Sequence, residues 1–184
     1  MSAGATEVTG AVAVVRDFVN TSDHDEGTDE LDSTAGLTAW LTTTGLAGES
    51  AEATEAELDL ALRLRAGLRR GLELNHDGGA EPLPGLVDVL AELPVVLGWD
   101  GTAPVLTTGE NGVLGGLARV AVCAHETVAT GEWGRLKICS FDECEWAYVD
   151  RSKNRSRHYC EYGCGNKLKT RAYRARQRAA GAQL

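Results

Sequence analysis

The chain has 184 residues, 43% of them hydrophobic, and a net charge of −9. That length supports one ordinary core and a small appendage. No run of about 18 apolar residues occurs, which argues against a membrane span. A uniform charge of −9 would argue against nucleic acid, but the charge is not uniform. Residues 135–184 hold 12 Lys/Arg against 5 Asp/Glu, net +7, while residues 1–134 hold 6 against 22, net −16. Such asymmetry predicts a basic binding module behind an acidic domain.

Residues 1–7 are small, polar and terminal, and are expected to be disordered. Val8 to Asn20 is apolar, with Val12, Val15, Phe18 and Val19 at helical steps. A first helix is predicted, although the valines would also suit a strand. Asn20 and Thr21 end this segment. They either line a ligand pocket or, as we favour, cap the chain locally through side chain–backbone bonds. The acid-rich stretch Thr21 to Asp32 reads as a solvated loop with two turns, and its spacing matches no cation-binding loop. Ser33 or Thr34 caps a second helix whose buried face is Leu37, Trp40 and Leu41.

Thr54 with Glu57 has the capping-box pattern and opens a helix running to about Asn75. Leu58, Ala61, Leu62, Arg65, Leu68 and Leu72 form its stripe, and Arg63, Arg65, Arg69 and Arg70 read as its wet face. The stretch Asn75 to Gly79 breaks the chain. Pro84 starts a short helix through Leu86, Val89, Leu90 and Leu93, and Pro94 ends it. Val95 to Trp99 and Val105 to Thr107 read as a hairpin around Asp100-Gly101. Val113 to Thr130 is a last helix through Leu114, Leu117, Val120, Ala121, Ala124 and Val128, closed by Gly131. Cys123 reads as a small buried hydrophobe. Trp40, Trp99 and Trp133 read as core. His24, His76 and His125 are scattered, no nucleophile–base pair has a supporting motif, and the chain is not expected to be an enzyme.

The last fifty residues carry the chemistry. Cys139 and Cys144 are separated by four residues, Cys160 and Cys164 by three, and fifteen lie between the pairs. Two such pairs can converge four thiolates on one tetrahedral zinc. Disulfides are the competing reading. Nothing N-terminal looks like an export signal, so a reducing, cytoplasmic setting and a zinc ion are favoured. Four cysteines fill zinc's shell, so the ion is structural. Trp146 should pack over the knuckle. His158 could replace a cysteine, although a phosphate-facing role fits better.

Around the cysteines the charge points outward. Arg151, Lys153, Arg155 and Arg157 place four cations in seven residues. After Cys164 a helix is predicted, with Leu168, Ala172, Ala175 and Ala179 as a narrow apolar stripe and Lys167, Arg171, Arg174 and Arg178 on another face. Cations three and four apart repel, so this face asks for an anionic partner, commonly a nucleic-acid backbone.

The runs Gly134 to Cys139 (GRLKIC), Cys144 to Asp150 (CEWAYVD), Ser152 to Arg157 (SKNRSR) and Cys164 to Lys167 (CGNK) together resemble the CGNR zinc finger, a bacterial module. Lys167 stands where that family's name has Arg, and Lys153 where Arg is usual in the loop. Lys keeps the charge and the phosphate contact but not the two-pronged geometry. Upstream, Arg16 to Thr21, Asp29 to Leu31, Leu37 to Leu41, the Trp99 to Gly101 turn and Gly131 to Trp133 resemble the ABATE domain, which usually precedes a CGNR finger. The resemblances imply a stress-linked transcriptional regulator whose N-terminal domain senses an unknown small-molecule ligand.

The expectation is therefore an α+β chain. Residues 1–131 form a mainly helical domain with a small antiparallel sheet, and residues 132–184 a four-cysteine finger ending in a basic helix. Double-stranded DNA is the expected partner. Arg151, Lys153, Asn154, Arg155, Arg157, Asn166, Lys167, Lys169, Arg171, Arg174 and Arg178 are the candidate contacts, with Asn154 and Asn166 reading a base edge or tying the loop to the knuckle. A homodimer through the N-terminal domain would widen a modest footprint. The competing classes are a zinc-stabilised protein-docking module and an RNA-binding module.

Overall fold

The computed structural model describes residues 10–76 and 78–181. The expectations for residues 1–7, for Val8 and for the side chain of Ala179 lie outside the described residues. The chain is α+β: the described residues form six α-helices, holding about half of them, and three antiparallel hairpins of two strands each.

Helix α1 (Ala11–Val19) buries Val12, Val15, Phe18 and Val19, the spacing that the sequence shows. Its helical register wins over the β preference of valine because this face packs against α3 and α5. The acidic stretch beyond it is more than a loop. Strands β1 (Ser22–Asp23) and β2 (Thr28–Asp29) pair there, and the Asp23 carboxylate accepts the turn amides of Asp25 and Glu26 at 2.9 and 3.1 Å. Helix α2 (Thr34–Thr43) has the Ser33 cap on Gly36 N–H. Helix α3 (Glu55–Leu74) starts on the complete Thr54–Glu57 capping box.

Helix α4 (Pro84–Glu92) begins at its proline and buries Val89, while Leu90 is exposed. The hairpin β3 (Val96–Trp99) and β4 (Pro104–Thr107) forms as expected. Its Trp99 is exposed and not core, because β3 stands outside the packed layers. Helix α5 (Val113–Ala129) runs through the middle of the core on Val113, Leu117, Ala118, Val120 and Ala121. Val128 is exposed instead of buried, since the last turn passes the edge of that core. Cys123 is half-buried, and burial pushes its thiol up to about 11, so it behaves as a small hydrophobe.

The finger is not an appendage. Strands β5 (Leu136–Ile138) and β6 (Ala147–Val149) pair antiparallel. Leu136, Ile138 and Ala147 belong to the same buried cluster as Phe18, Leu64 and Leu117. β5 packs on α3 and β6 on α1. A second, smaller core holds the four cysteines with Phe141 and Tyr148. Helix α6 (Cys164–Gly181) leaves from that small core. The hairpin of the finger thus packs with the main core, while the cysteines form a small core of their own.

Candidate metal centre and nucleic-acid interface

Sγ of Cys139, Cys144, Cys160 and Cys164 all lie within 4.8 Å of one another, and all four residues are buried. Cys144 and Cys160 stand 3.7 Å apart, Cys160 and Cys164 3.6 Å. A disulfide needs about 2.05 Å. Four ligands at about 2.3 Å around tetrahedral zinc sit roughly 3.8 Å from each other, which the Cys144–Cys160 and Cys160–Cys164 distances match. The donors fit one zinc ion, with no coordination position left for water or substrate.

Burial first, and neighbouring sulfurs after it, push the Cys144 thiol up to about 11 and the Cys160 thiol further. A divalent cation among the sulfurs reverses that preference and holds them as thiolates. The backbone is shaped for the ion. Gly163 takes φ 79° in the second knuckle and Glu145 φ 46° in the first. Cys160 N–H donates to Cys139 Sγ at 3.5 Å, a bond that steadies a ligand sulfur. Gly165 sits against the Tyr159 ring, where a Cβ would approach to 3.2 Å. Trp146 packs on the cysteine core as expected and meets Tyr162 edge-on, ring centres 6.2 Å apart.

The basic loop hangs on a group that sequence reasoning left out of the site. Lys137 and Asp150 are both fully buried, and their ion pair measures 3.0 Å. Asp150 also accepts the amides of Ser152 and Arg157, each at 2.9 Å. Lys137 Nζ donates to the carbonyls of Arg155 and Arg157. Burial alone would raise the Asp150 carboxyl, but these donors outweigh it and hold it well below the ordinary carboxylate range. The loop therefore wraps a buried charge pair, with Arg155 forced to φ 51°, and its cationic side chains turn outward. The available signal was a lone lysine at the centre of the apolar strand Leu136–Ile138.

Side chains of the body tie the hairpin down: Asn20 and Arg69 hold β6 and the first knuckle, and Asn75 and His76 meet the β5 carbonyls of Leu136 and Ile138. Asn20 donates to Ala147 C=O at 2.9 Å and accepts Ala147 N–H at 2.7 Å, a buried two-way bond across 127 positions of sequence. This is a long-range tie and not a local cap. Thr21 does cap locally, on Phe18 C=O at 2.8 Å, and it also accepts from Arg65. Arg69 reaches from α3 to the carbonyls of Glu145 and Val19 at 2.8 and 3.3 Å. The arginines of α3 accordingly split. Arg63 and Arg70 form exposed pairs with Glu92 and Glu81. Arg65 grips Asp29 at 2.6 and 2.7 Å, half-buried, and that hydrogen bond keeps the Asp29 carboxyl low against the opposing effect of burial. Arg65 and Arg69 are thus not a wet face.

The predicted contact residues fall into two groups. Arg151, Lys153, Asn154 and Arg155 are exposed on the loop. Arg157 lies over the Tyr148 ring and pairs with Glu161 at 3.2 Å. An open recess of about 460 Å³ separates this loop from the start of α6 and is walled by Arg157, His158, Tyr159 and Asn166, among others. His158 is no cysteine substitute. Its ring stacks on His76 with centres 5.5 Å apart.

On α6, Lys167 approaches Asp25 of the β1–β2 turn at 3.6 Å, and Arg171 pairs with Glu143 at 2.7 Å while lying over Phe141. Lys169, Arg174 and Arg178 make no ion pair among the described residues. The apolar stripe is shorter than predicted. Leu168 packs on the cysteine core, but Ala172 and Ala175 are exposed, because the helix has left the body by then. Residues 169–178 are ten consecutive exposed positions with five cations and no acid. No described helix is long and apolar enough to cross a membrane.

Comparison with known families divides the chain between residues 131 and 135. The CGNR zinc finger matches residues 135–177. The ABATE family, described as "Putative stress-induced transcription regulator", matches residues 13–131. No curated protein matches the chain. The chain belongs to the ABATE family, with a CGNR zinc finger behind its ABATE domain.

Proposed function

We propose that this protein is a DNA-binding transcriptional regulator that acts in the cytoplasm. Zinc fixes the finger, the buried Lys137–Asp150 pair shapes the loop, and loop and α6 together form the surface that meets a duplex. The observation that carries this reading is the projecting run of residues 169–178. It is helical, cationic and exposed throughout, and among the described residues it touches the body only through Arg171. A polar helix without a buried face is marginal alone, and a phosphate backbone supplies both the charge and the surface that it lacks. The Asp25–Lys167 and Glu143–Arg171 pairs are exposed and therefore weak, so phosphates can displace them. The cations position the helix on the backbone, and Asn166 and Arg174 are the side chains suited to base edges. A second copy joined through the N-terminal half would double the footprint of one finger.

The N-terminal half is read as a ligand sensor. A recess of about 270 Å³ between the β1–β2 turn and the knuckle supports this. Asp23, Asp25, Glu26, Trp146 and Tyr162 line it, together with the zinc ligands Cys144 and Cys164. Carboxylates and aromatic rings in one recess suit a cationic molecule, and one bound there would compete with Lys167 for Asp25. RNA is the second reading, favoured by Tyr162 and Tyr173, both exposed on or beside the basic surface.

The test is fluorescence anisotropy of the full zinc-loaded chain with labelled duplex DNA, single-stranded DNA and duplex RNA at two salt concentrations. Preference for duplex DNA, with affinity falling steeply as salt rises and lost on chelation, supports the proposal. Indifference to DNA at low salt makes α6 a protein-docking surface, and preference for RNA or single strands favours the second reading.

A further inference from the structure

The β3–β4 hairpin has a feature that neither the finger nor the core explains. Its register sets Leu97 opposite Leu106 and Trp99 opposite Pro104, so four apolar side chains share one face. Leu97 is 73% exposed, Trp99 68% and Val96 50%. Proteins rarely leave such residues in water without a partner. Natural edge strands are guarded by charged side chains, yet from Leu93 to Gly109 the only charged residue is Asp100. Its carboxylate is occupied, accepting the Thr102 and Ala103 amides at 2.7 and 2.8 Å.

The two edges of the hairpin differ. β4 lies against α5, and Pro104 has no N–H to offer a neighbour. On β3 the pattern is the reverse. Asp100 N–H bonds to Ala103 C=O at 3.2 Å. Antiparallel pairs alternate between bonded and non-bonded types, so Trp99↔Pro104 and Leu97↔Leu106 are non-bonded pairs. The N–H and C=O of Leu97 and Trp99 therefore point away from β4, along an edge with no backbone partner among the described residues.

We infer that β3 is a self-pairing edge: two copies of this chain join β3 to β3 antiparallel about a two-fold axis at Gly98, making one four-stranded sheet. The outward amides of Leu97 in one copy then meet those of Trp99 in the other, and the apolar faces run on across the seam. A patch used twice must match itself, and an uncharged strand with its free amides spaced evenly about a glycine does so. Val87 and Leu90 of α4, just upstream of β3, are exposed as well. Edge pairing sets Leu97 and Trp99 of the two copies side by side on one face of the joined sheet, as cross-strand apolar neighbours. This deepens the functional proposal, since it names the surface that brings two fingers together, but the pairing itself needs no DNA.

Sedimentation velocity of the full zinc-loaded chain, without DNA, from about 1 to about 100 µM tests the inference. A dimer is expected within that range. Leu97→Lys and Trp99→Lys each should weaken it about 30-fold, and together leave a monomer with an unchanged circular dichroism spectrum. Leu97→Pro deletes one outward N–H and should also weaken the pair. Val128→Lys, at an exposed apolar position elsewhere, should change nothing. A chain that stays monomeric throughout, or a dimer that ignores the paired lysines, overturns the inference. Neither result bears on whether the monomer binds DNA.

Discussion

The two halves of the finger make an instructive contrast. The β5–β6 hairpin is buried on the body: Leu136, Ile138 and Ala147 share its core, and Asn20 and Arg69 tie the strand and knuckle down. Helix α6 has one anchored turn around Cys164 and Leu168 and then ten exposed residues. Both belong to one zinc module, and the zinc ligands lie between them. The ion thus connects a rigid platform to a projecting arm. A contact surface on such an arm can be rich in like charge, because the platform and the ion, not the arm's own packing, supply the fold.

Removing the zinc should break the contrast most severely. Structural zinc supplies about 10–16 kcal/mol in isolated fingers, and beyond the packing of Leu168 the arm is held only by the exposed Lys167–Asp25 and Arg171–Glu143 pairs among the described residues. Chelation, or Cys160→Ser, should melt α6 and the knuckles while the α3 and α5 amides stay protected from hydrogen exchange. Global unfolding on chelation would show that the hairpin leans on the ion more than its burial implies.

Changing the buried pair comes next. Lys137→Met leaves Asp150 as a buried unpaired charge and should cost about 3–5 kcal/mol in thermal or chemical unfolding. Asp150 also sets an acid limit. Its folded pKa is depressed, so its contribution is fully present above the unfolded value of about 3.9 and is lost as pH falls below that. Asp150→Asn should therefore be less stable at neutral pH and show a shallower loss in acid than the native chain. An unchanged acid limb would place the stabilising carboxylate elsewhere.

Asn20→Ala should cost about 1–3 kcal/mol, since both polar groups of Ala147 lose a buried partner. A variant as stable as the native chain would return Asn20 to the ligand-pocket reading. The smallest stability effect belongs to the arm. Lys169→Ala, Arg174→Ala and Arg178→Ala together should stay within about 0.5 kcal/mol per site, yet lower the salt slope of DNA binding by about 3.

What the sequence showed and hid follows the same division. Features fixed by near neighbours were legible: the Thr54–Glu57 box, Pro84 at the start of α4, the buried spacing of α1 and the four zinc ligands. Features fixed at long range were not. Asn20 looked like a cap because its partner is 127 residues away. The arginines of α3 looked uniformly solvated because Asp29 and Glu145 come to them only in the fold. Strands of two or three residues, such as β1 and β5, carry too little pattern to be seen. Trp99 was assigned to the core on its size, and the register of the hairpin instead turns it outward.

Hydrogen exchange across the finger, with and without duplex DNA, tests the central claim most directly. In the free zinc-loaded chain, amides of β5–β6 should exchange slowly and those of residues 169–178 quickly. With duplex DNA the α6 amides should slow severalfold while the hairpin stays as it was. An arm already protected in the free chain, or one that DNA leaves unchanged while the chain binds elsewhere, would contradict the account.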